Sequence, residues 1–148
     1  MEQKKLTEHF YLREFTDSDI ALRNGIPNKP SPLVLEHLQL TANGMEEVRT
    51  VLGKPVFISS GYRSPKLNAF IGGSKTSDHK DGYAADFVCR SFGTPEQIVD
   101  AILKSGIKFD QLICEGNWVH ISFNPRLRMQ ALRALFDEKG GVTYRKFV

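Results

Sequence analysis

Three side chains in the middle of the chain are typical zinc ligands. His79 and Asp86 lie in segment 77–86, and His120 lies in segment 118–122, which predicts a buried strand. Catalytic zinc usually takes three protein ligands and keeps a fourth position for water. A histidine and an aspartate at this spacing are often unrelated surface residues, but Asp86 lies in the otherwise apolar run 83–89. A charge buried in such a run must be paired or bound to a metal, so the sequence predicts a metal site.

Two imidazoles and one carboxylate form a ligand set that suits zinc and leaves a net positive centre. Such a centre lowers the pKa of bound water to about 7 and polarises a carbonyl group. Both effects favour peptide hydrolysis, provided that a general base takes a proton from the water. The predicted chemistry is therefore metal-assisted hydrolysis.

Three motifs contain or adjoin the candidate ligands. They are Ser77-x-His79-x-x-Gly82-x-Ala84-x-Asp86, the preceding Ser-Gly-Tyr-Arg-Ser-Pro of residues 60–65, and the later Trp118-x-His120. Together they resemble the zinc D-Ala-D-Ala carboxypeptidase family, which includes VanX-type dipeptidases and many phage endolysins and shares its fold with the Hedgehog signalling domain. The resemblance covers about residues 10–122. It implies that His79, Asp86 and His120 bind one Zn²⁺ per chain.

The resemblance also implies substrate-binding residues. Arg63 would hold a substrate carboxylate, which suits the forked geometry of guanidinium. Ser77 would hydrogen-bond the substrate backbone, with capping of a turn as the alternative. Trp118 would lie beside the zinc site, with a place in the core or pocket wall as the alternative.

The family's general base is a glutamate just ahead of the last zinc histidine, and Glu115 is the nearest candidate. Glu115 precedes His120 by five residues, whereas the dipeptidase branch has its glutamate three residues ahead, where this chain has Asn117. Residues an odd number apart on one strand point to opposite faces. Glu115 is therefore expected to face the zinc only if the turn at Gly116 redirects it; the alternative is an exposed turn acid.

Three aspartates near the motifs offer other roles. Asp110 is a weaker candidate for the general base. Asp78 and Asp81 flank His79, and they are candidates for orienting its ring, since metal-binding histidines usually donate their other N–H to an acceptor.

The composition predicts one globular domain, residues 1–148, with a C-terminal extension from 124. The chain is 41% hydrophobic and 25% charged, and its net charge is +3 with scattered basic residues. This distribution does not indicate nucleic-acid binding, although mild basicity suits approach to an anionic polymer such as a cell wall. We expect a monomer without a signal peptide or membrane span, made in the cytoplasm. Cys89 and Cys114 lie in apolar runs and are expected to be free thiols.

The pattern of apolar residues and caps predicts the main elements. Helices are expected from the Ser31 cap to about Leu52 and from the Thr94 cap to Gly106. Short strands are expected at 54–60 and 83–89, a short strand or extended segment at 10–15, and a hairpin at 109–114 and 118–123. Segment 129–136 is either a helix or part of a terminal hairpin. We therefore expect an α+β fold, with helices packed on one face of a small, mainly antiparallel sheet, as in the Hedgehog/DD-peptidase family it resembles.

The resemblance implies a zinc peptidase that hydrolyses peptidoglycan stem or cross-link peptides. A domain of this kind looks like a phage or prophage endolysin that acts on the cell wall after release. Two alternatives remain open: a zinc-stabilised binding module without catalysis, and a cytoplasmic dipeptidase for D-amino-acid peptides. The position of the general base discriminates the binding module from the enzymes.

Overall fold

The computed structural model describes residues 4–148, and residues 1–3 of the predicted domain lie outside the described residues. The α-helices are α1 (Leu12–Thr16), α2 (Asp19–Arg23), α3 (Pro32–Leu52), α4 (Pro65–Phe70) and α5 (Pro95–Ser105), and a 3-10 helix spans Asp78–Asp81. The strands are β1 (Phe57–Ser60), β2 (Ala84–Val88), β3 (Gln111–Cys114), β4 (Val119–Ser122), β5 (Gln130–Phe136) and β6 (Val142–Lys146). Across residues 4–148, none of the helices has the length and apolar character needed to span a membrane.

Polar caps begin the two longest helices. The Ser31 hydroxyl accepts a hydrogen bond from the backbone N–H three residues on, at 3.2 Å. Thr94 and Gln97 cap α5 reciprocally, because each side chain accepts from the backbone N–H of the other, at 3.2 and 2.9 Å. A proline follows both caps, where no backbone donor is missed. Both helices predicted from these signals are confirmed.

One sheet joins the six strands in the order β1-β2-β4-β3-β5-β6. The hairpin predicted for β3 and β4 is confirmed, and β1/β2, β2/β4 and β5/β6 are also antiparallel. β3 and β5 run parallel. The α+β class is therefore confirmed. The expectation of a mainly antiparallel sheet is wrong, because the sheet is mixed. After β4 the chain crosses the beginning of β3 and enters β5 from the same end, so β5 must run parallel to β3.

The two faces of the sheet have different environments. Side chains alternate between the faces along each strand. On one face α5 packs over β3 and β4, and α3 packs against α5. The fully buried side chains of this face include Ala85, Phe87, Leu112, Val119 and Ile121. The opposite face, which carries Asp86 and His120, borders an open cavity. The core face thus holds the sheet in place while the other face remains accessible.

Segment 10–15 differs from the prediction, since residues 12–16 form α1. The Glu14 carboxylate accepts a hydrogen bond from the backbone N–H of Tyr11 at 2.7 Å, which satisfies a donor at the start of the helix. Phe10 and Phe15 are both buried in the core. The alternation of apolar residues here comes from these two core contacts and does not indicate a strand.

Segment 124–148 adds β5 and β6 to the sheet, so the terminal hairpin, one of the two alternatives, is the one observed. The Asp137 carboxylate closes the loop between the strands by accepting from the N–H groups of Lys139 and Gly141, at 2.9 and 2.7 Å. Aspartate supports turns in this way. The candidate extension is continuous with the sheet that carries the site.

Gly44 lies in the middle of α3, which continues through it as one helix. A Cβ atom at this position would overlap the aromatic ring of Phe123, the residue that follows β4. A helical glycine costs about 1 kcal/mol relative to alanine. Glycine is required here because α3 packs closely against the residue that follows β4.

We expect Gly44→Ala to lower the free energy of unfolding by about 1–3 kcal/mol, because an added methyl group in a closed core forces strain. Urea unfolding at pH 7 measures the change. Glu47→Ala, at an exposed position of the same helix, is the control and should shift the value by less than about 0.5 kcal/mol. A Gly44→Ala protein as stable as the wild type would contradict the close contact.

Candidate metal centre

The structure brings the three predicted ligands together. His79 lies on the 3-10 helix, Asp86 on β2 and His120 on β4. Asp86 Oδ1 is 3.2 Å from His79 Nε2 and 2.9 Å from His120 Nδ1, and the three ligand atoms lie within 4.8 Å of one another. Asp86 and His120 are directly opposite each other across β2 and β4. Opposed residues on one face of a sheet have neighbouring side chains, so the register of these strands forms the cluster.

A backbone carbonyl orients the His79 ring. His79 Nδ1 is 2.7 Å from the Gly61 carbonyl oxygen; because a carbonyl only accepts, Nδ1 carries the proton and Nε2 keeps its lone pair for a metal. Within residues 4–148 neither the Asp78 nor the Asp81 carboxylate hydrogen-bonds this ring, so the predicted orienting role of these aspartates is wrong. Ser77 caps the 3-10 helix by accepting from the His79 N–H at 3.2 Å.

The motif glycine Gly61 is needed for this arrangement. A Cβ atom there would overlap the backbone of Phe15 in α1. The next residue, Tyr62, donates its N–H to the Phe15 carbonyl at 2.6 Å. Glycine therefore lets the turn after β1 lie directly on α1. This contact fixes the Gly61 carbonyl oxygen that accepts the hydrogen bond from His79 Nδ1.

Burial and charge set the protonation of the donors. Burial lowers the pKa of the His79 imidazole, although the Asp86 charge acts in the opposite direction. Burial alone would raise the pKa of the Asp86 carboxyl, but His79 and His120 outweigh it and hold that pKa well below its ordinary value. An ionised carboxylate and a neutral imidazole are the forms that bind a metal.

The cluster opens into a cavity of about 620 Å³. The residues of the sheet and of the β3–β4 connection that line it are Ser60, Asp86, Gln111, Ile113, Glu115, Trp118, His120, Leu132 and Tyr144. A second cavity, of about 730 Å³, shares Ser60, Arg63 and Ile71 with the first. The cluster of candidate ligands therefore lies in a groove that extends toward β1 and α1. A groove of this size accommodates a short peptide.

Glu115 lies on the same face of the sheet as His120, which meets the condition, stated from the sequence, that the turn at Gly116 redirects it. The rule that residues an odd number apart point to opposite faces holds within one strand, whereas Glu115 and His120 lie on opposite arms of a hairpin. The Glu115 N–H donates to the Trp118 carbonyl at 2.9 Å, so these two residues face each other, and Trp118 shares a face with His120 two residues on. Gly116, with φ at 82°, makes the tight turn.

Glu115 is partly buried in the cavity wall, which differs from the alternative of an exposed turn acid. Burial raises the pKa of its carboxyl above the ordinary value of 4.5, while His120 lowers it and Asp86 raises it. A carboxylate with a raised pKa accepts a proton more readily than one in water. Both the position and the electrostatics suit proton transfer.

Arg63 lines the cavity from the turn after β1, and its backbone N–H donates to the His79 carbonyl at 3.0 Å. Its Nε is buried and has no hydrogen-bond partner within residues 4–148. Such a donor at the edge of a cavity is consistent with a ligand that completes its hydrogen bonds. Trp118 is 36% exposed and forms part of the cavity wall, not of the core.

Two arginines to which the sequence analysis assigned no role also line the cavity. Asp110, fully buried, accepts from Nε and Nη2 of Arg128 at 3.0 and 2.9 Å and from Nη2 of Arg126 at 3.0 Å. Arg126 Nη2 also lies 3.0 Å from Asp78. Asp110 is committed to these ion pairs and is absent from the cavity lining, so its prediction as a base is wrong. The only sequence signal for the arginines is their position just after the strand that carries His120.

An α+β fold whose accessible sheet face gathers two histidines, an aspartate and a glutamate in a peptide-sized groove has the features of a metallopeptidase. Residues 8–122, more than half of the chain, match the family described as Peptidase M15. The chain therefore belongs to the peptidase M15 family, which confirms the resemblance to zinc D-Ala-D-Ala carboxypeptidases. Members of this family typically depend on zinc. No match was found among curated proteins.

We expect Asp110→Asn to lower the free energy of unfolding at pH 7 by about 1–3 kcal/mol, because a buried acceptor of charged hydrogen bonds is lost. Burial raises the pKa of Asp110, but Arg128 and Arg126 outweigh it, and the folded-state pKa lies below 3.8. The stabilisation by the ionised Asp110 carboxylate is therefore fully present above about pH 3.8, and it is lost as the pH falls through the lower folded-state pKa.

Urea unfolding at pH 7 and pH 3 should accordingly give a difference between wild type and Asp110→Asn that is smaller at the lower pH. Glu138→Gln, in the exposed loop between β5 and β6, is a control for a carboxylate outside this network. A difference that is independent of pH would contradict the ion-pair account.

Proposed function

We propose that this chain is a zinc peptidase that hydrolyses stem or cross-link peptides of peptidoglycan. The observation that carries the proposal is the convergence of His79, Asp86 and His120 in one cavity with Glu115 and Arg63. Family membership supports peptidase activity. The choice of peptidoglycan, and of a bond next to a D-amino acid, rests on the resemblance of the motifs.

The donor set fits one zinc ion. It consists of two imidazole nitrogens and one carboxylate oxygen, a combination found in catalytic zinc sites. The Gly61 carbonyl fixes the His79 tautomer that leaves Nε2 free, and the low pKa of Asp86 keeps its carboxylate ionised. When bound, zinc acidifies water and polarises the carbonyl group of a peptide bond.

Glu115 is the proposed general base. Its carboxylate takes a proton from the attacking water, and the raised pKa that burial produces favours acceptance of that proton. The protonated carboxyl then donates to the amine that leaves when the peptide bond breaks. Glu115 is suited to both transfers because it shares a face of the sheet with His120, on the opposite arm of the hairpin.

Arg63, Ser77 and Trp118 are the proposed substrate-binding residues. The Arg63 guanidinium has a buried Nε without a partner in residues 4–148, and it binds a peptide carboxylate in a forked geometry. Ser77 lies at the cavity edge as well as capping the 3-10 helix, and it hydrogen-bonds the substrate backbone. Trp118 contributes an aromatic wall beside His120.

The proposed setting follows the resemblance to endolysins: a monomer that acts on the cell wall after release from the cytoplasm in phage or prophage lysis. A cytoplasmic dipeptidase for D-amino-acid peptides would use the same groove. A zinc-stabilised binding module would not require a partly buried glutamate with a raised pKa in the cavity, so Glu115 favours an enzyme.

We expect the purified protein to contain about one zinc ion per chain, and His120→Ala to lose most of it, because a three-ligand site loses a third of its donors. Metal analysis after dialysis measures the ratio. Glu8, His9 and Glu46 form a second group whose ligand atoms lie within 4.8 Å of one another, but they are largely exposed, so His9→Ala is the matched control and should retain its zinc. Full zinc content and full activity in His120→Ala would contradict the assignment.

We expect Glu115→Gln to retain fold and zinc and to lose about 10²–10⁴ in rate, the usual effect of removing a positioned base. Mass spectrometry of the products released from purified peptidoglycan measures activity and identifies the bond cleaved. Glu138→Gln, an exposed glutamate outside the cavity, is the control and should act as the wild type does. Near-normal rates for Glu115→Gln would contradict its role as base.

A wild-type protein that holds zinc and releases no peptide from any wall preparation would contradict the peptidase proposal. That result would favour the binding module instead.

A further inference from the structure

The cavity at the candidate metal ligands His79, Asp86 and His120 is called the metal cavity below. One of its walls comes from residues beyond the family match, which ends at residue 122. The members of this wall are Arg126, Arg128, Leu132 and Tyr144. The side chains of Arg126 and Arg128 are 51% and 45% exposed. Of their acidic partners, Asp110 lies behind them at 0% exposure and does not line the cavity, whereas Asp78 lines it but is only 9% exposed. The cavity therefore meets far more guanidinium surface than carboxylate surface.

The two guanidinium groups are held in place but retain unused donors. Within residues 4–148, every hydrogen bond of the Arg126 side chain uses Nη2, and those of the Arg128 side chain use Nε and Nη2. Nε and Nη1 of Arg126 and Nη1 of Arg128 are available to a ligand. Because Asp110 contacts both side chains, a ligand meets donors that are already ordered, which lowers the entropic cost of binding.

We propose that Arg126 and Arg128 form an anion-binding subsite of the metal cavity, which takes a carboxylate carried by the peptide substrate. This subsite is additional to the carboxylate site assigned to Arg63, and the choice of a peptide as ligand rests on the proposed function. Guanidinium binds carboxylates through paired N–H groups in a defined geometry. The subsite selects peptides that carry a free carboxylate near the bond to be cleaved.

The sheet sets the distance between the subsite and the metal cluster. The arginines are anchored at the end of β3 and β4 where Gln111 pairs with Ser122, since Asp110 precedes that pair and Asp78 accepts from the Ser122 hydroxyl at 2.7 Å. His120 is two residues along β4, or about 7 Å at the usual rise of a strand. An extended peptide covers this distance with about two residues. The selected carboxylate therefore belongs within one or two residues of the scissile bond.

A purely structural role is the alternative, because the same ion pairs fasten segment 123–129 to the start of β3. Arg128 alone is sufficient to hold this segment against the start of β3, because it makes two side-chain hydrogen bonds to Asp110. Arg126 adds one contact to Asp110 and two to Asp78, whose carboxylate keeps Ser122 and Asn124 as other donors, and Arg126 remains half exposed in the cavity. Arg126 is thus the residue whose replacement separates the two roles.

The test uses synthetic wall stem peptides in matched pairs. In each pair one carboxylate near the candidate bond is either free or converted to a carboxamide, and the C-terminal carboxylate is unchanged. The wild type should favour the free carboxylate by about tenfold in kcat/KM, mainly through KM, since one charged hydrogen-bonded pair typically has this effect. Calorimetric titration of the same peptides gives the binding preference without depending on turnover.

Arg126→Gln should abolish the preference while retaining zinc content and melting temperature close to those of the wild type. Arg145→Gln removes the same charge at an exposed position of β6 outside the cavity, and it should keep the preference. Arg126→Lys retains the ion pair with Asp110 but not the fork, so it should fold even if the glutamine variant does not, and its preference should fall.

Equal use and equal binding of free and amidated peptides by the wild type would overturn the subsite. An unchanged preference in folded Arg126→Gln, or in Arg126→Lys if the glutamine variant does not fold, would overturn it as well. Hydrolysis without a carboxylate preference counts against the subsite alone. A binding preference that depends on Arg126, without hydrolysis of any peptide, supports the subsite and counts against the peptidase proposal.

Discussion

The pairing of Asp86 with His120 across β2 and β4 is the constraint on which the site depends. A sheet register that slips by one residue turns every side chain to the opposite face. Here the opposite face carries Phe87 and Val119, both fully buried in the core, so a slip would expose them and bury the ligands. The apolar core thus secures the register, and the register secures the distance between the donors. His79, which lies outside the sheet, is brought to the pair by the Gly61 carbonyl.

Local signals in the sequence predicted a large part of this arrangement. The caps at Ser31 and Thr94 predicted α3 and α5, because capping depends on residues only three apart. The apolar run around Asp86 predicted both a strand and an unusual buried charge. The prediction for segment 10–15 is wrong, since six residues cannot distinguish alternation from two separate core contacts. The face on which Glu115 lies could be predicted only conditionally, because it depends on pairing across the turn at Gly116 and not on spacing along one strand.

Contacts between distant residues could not be predicted from the sequence in this way. Arg128 and Asp110 are eighteen residues apart, and nothing in either segment alone indicates that they meet. The ion pair fastens a crossing in which Leu127 and Met129 adopt positive φ angles of 45° and 54°. Such angles are unfavourable for residues other than glycine, so a buried carboxylate that binds the side chain between them offsets local strain. The parallel placement of β5 beside β3 follows from the same crossing.

The charged side chains are distributed asymmetrically along the cavity. Along β3 and β4 the arginines lie at one end, His120 lies in the middle, and Glu115 lies at the turn. A cationic end and an acidic end on opposite sides of the ligand cluster would favour one orientation of the proposed peptide substrate, with its carboxylate-bearing residues toward the arginines. In that orientation the peptide bond would lie at the ligand cluster with Glu115, the proposed base, on its far side. Under this proposal the segment beyond the family match adds orientation to a site whose candidate ligands lie within the match.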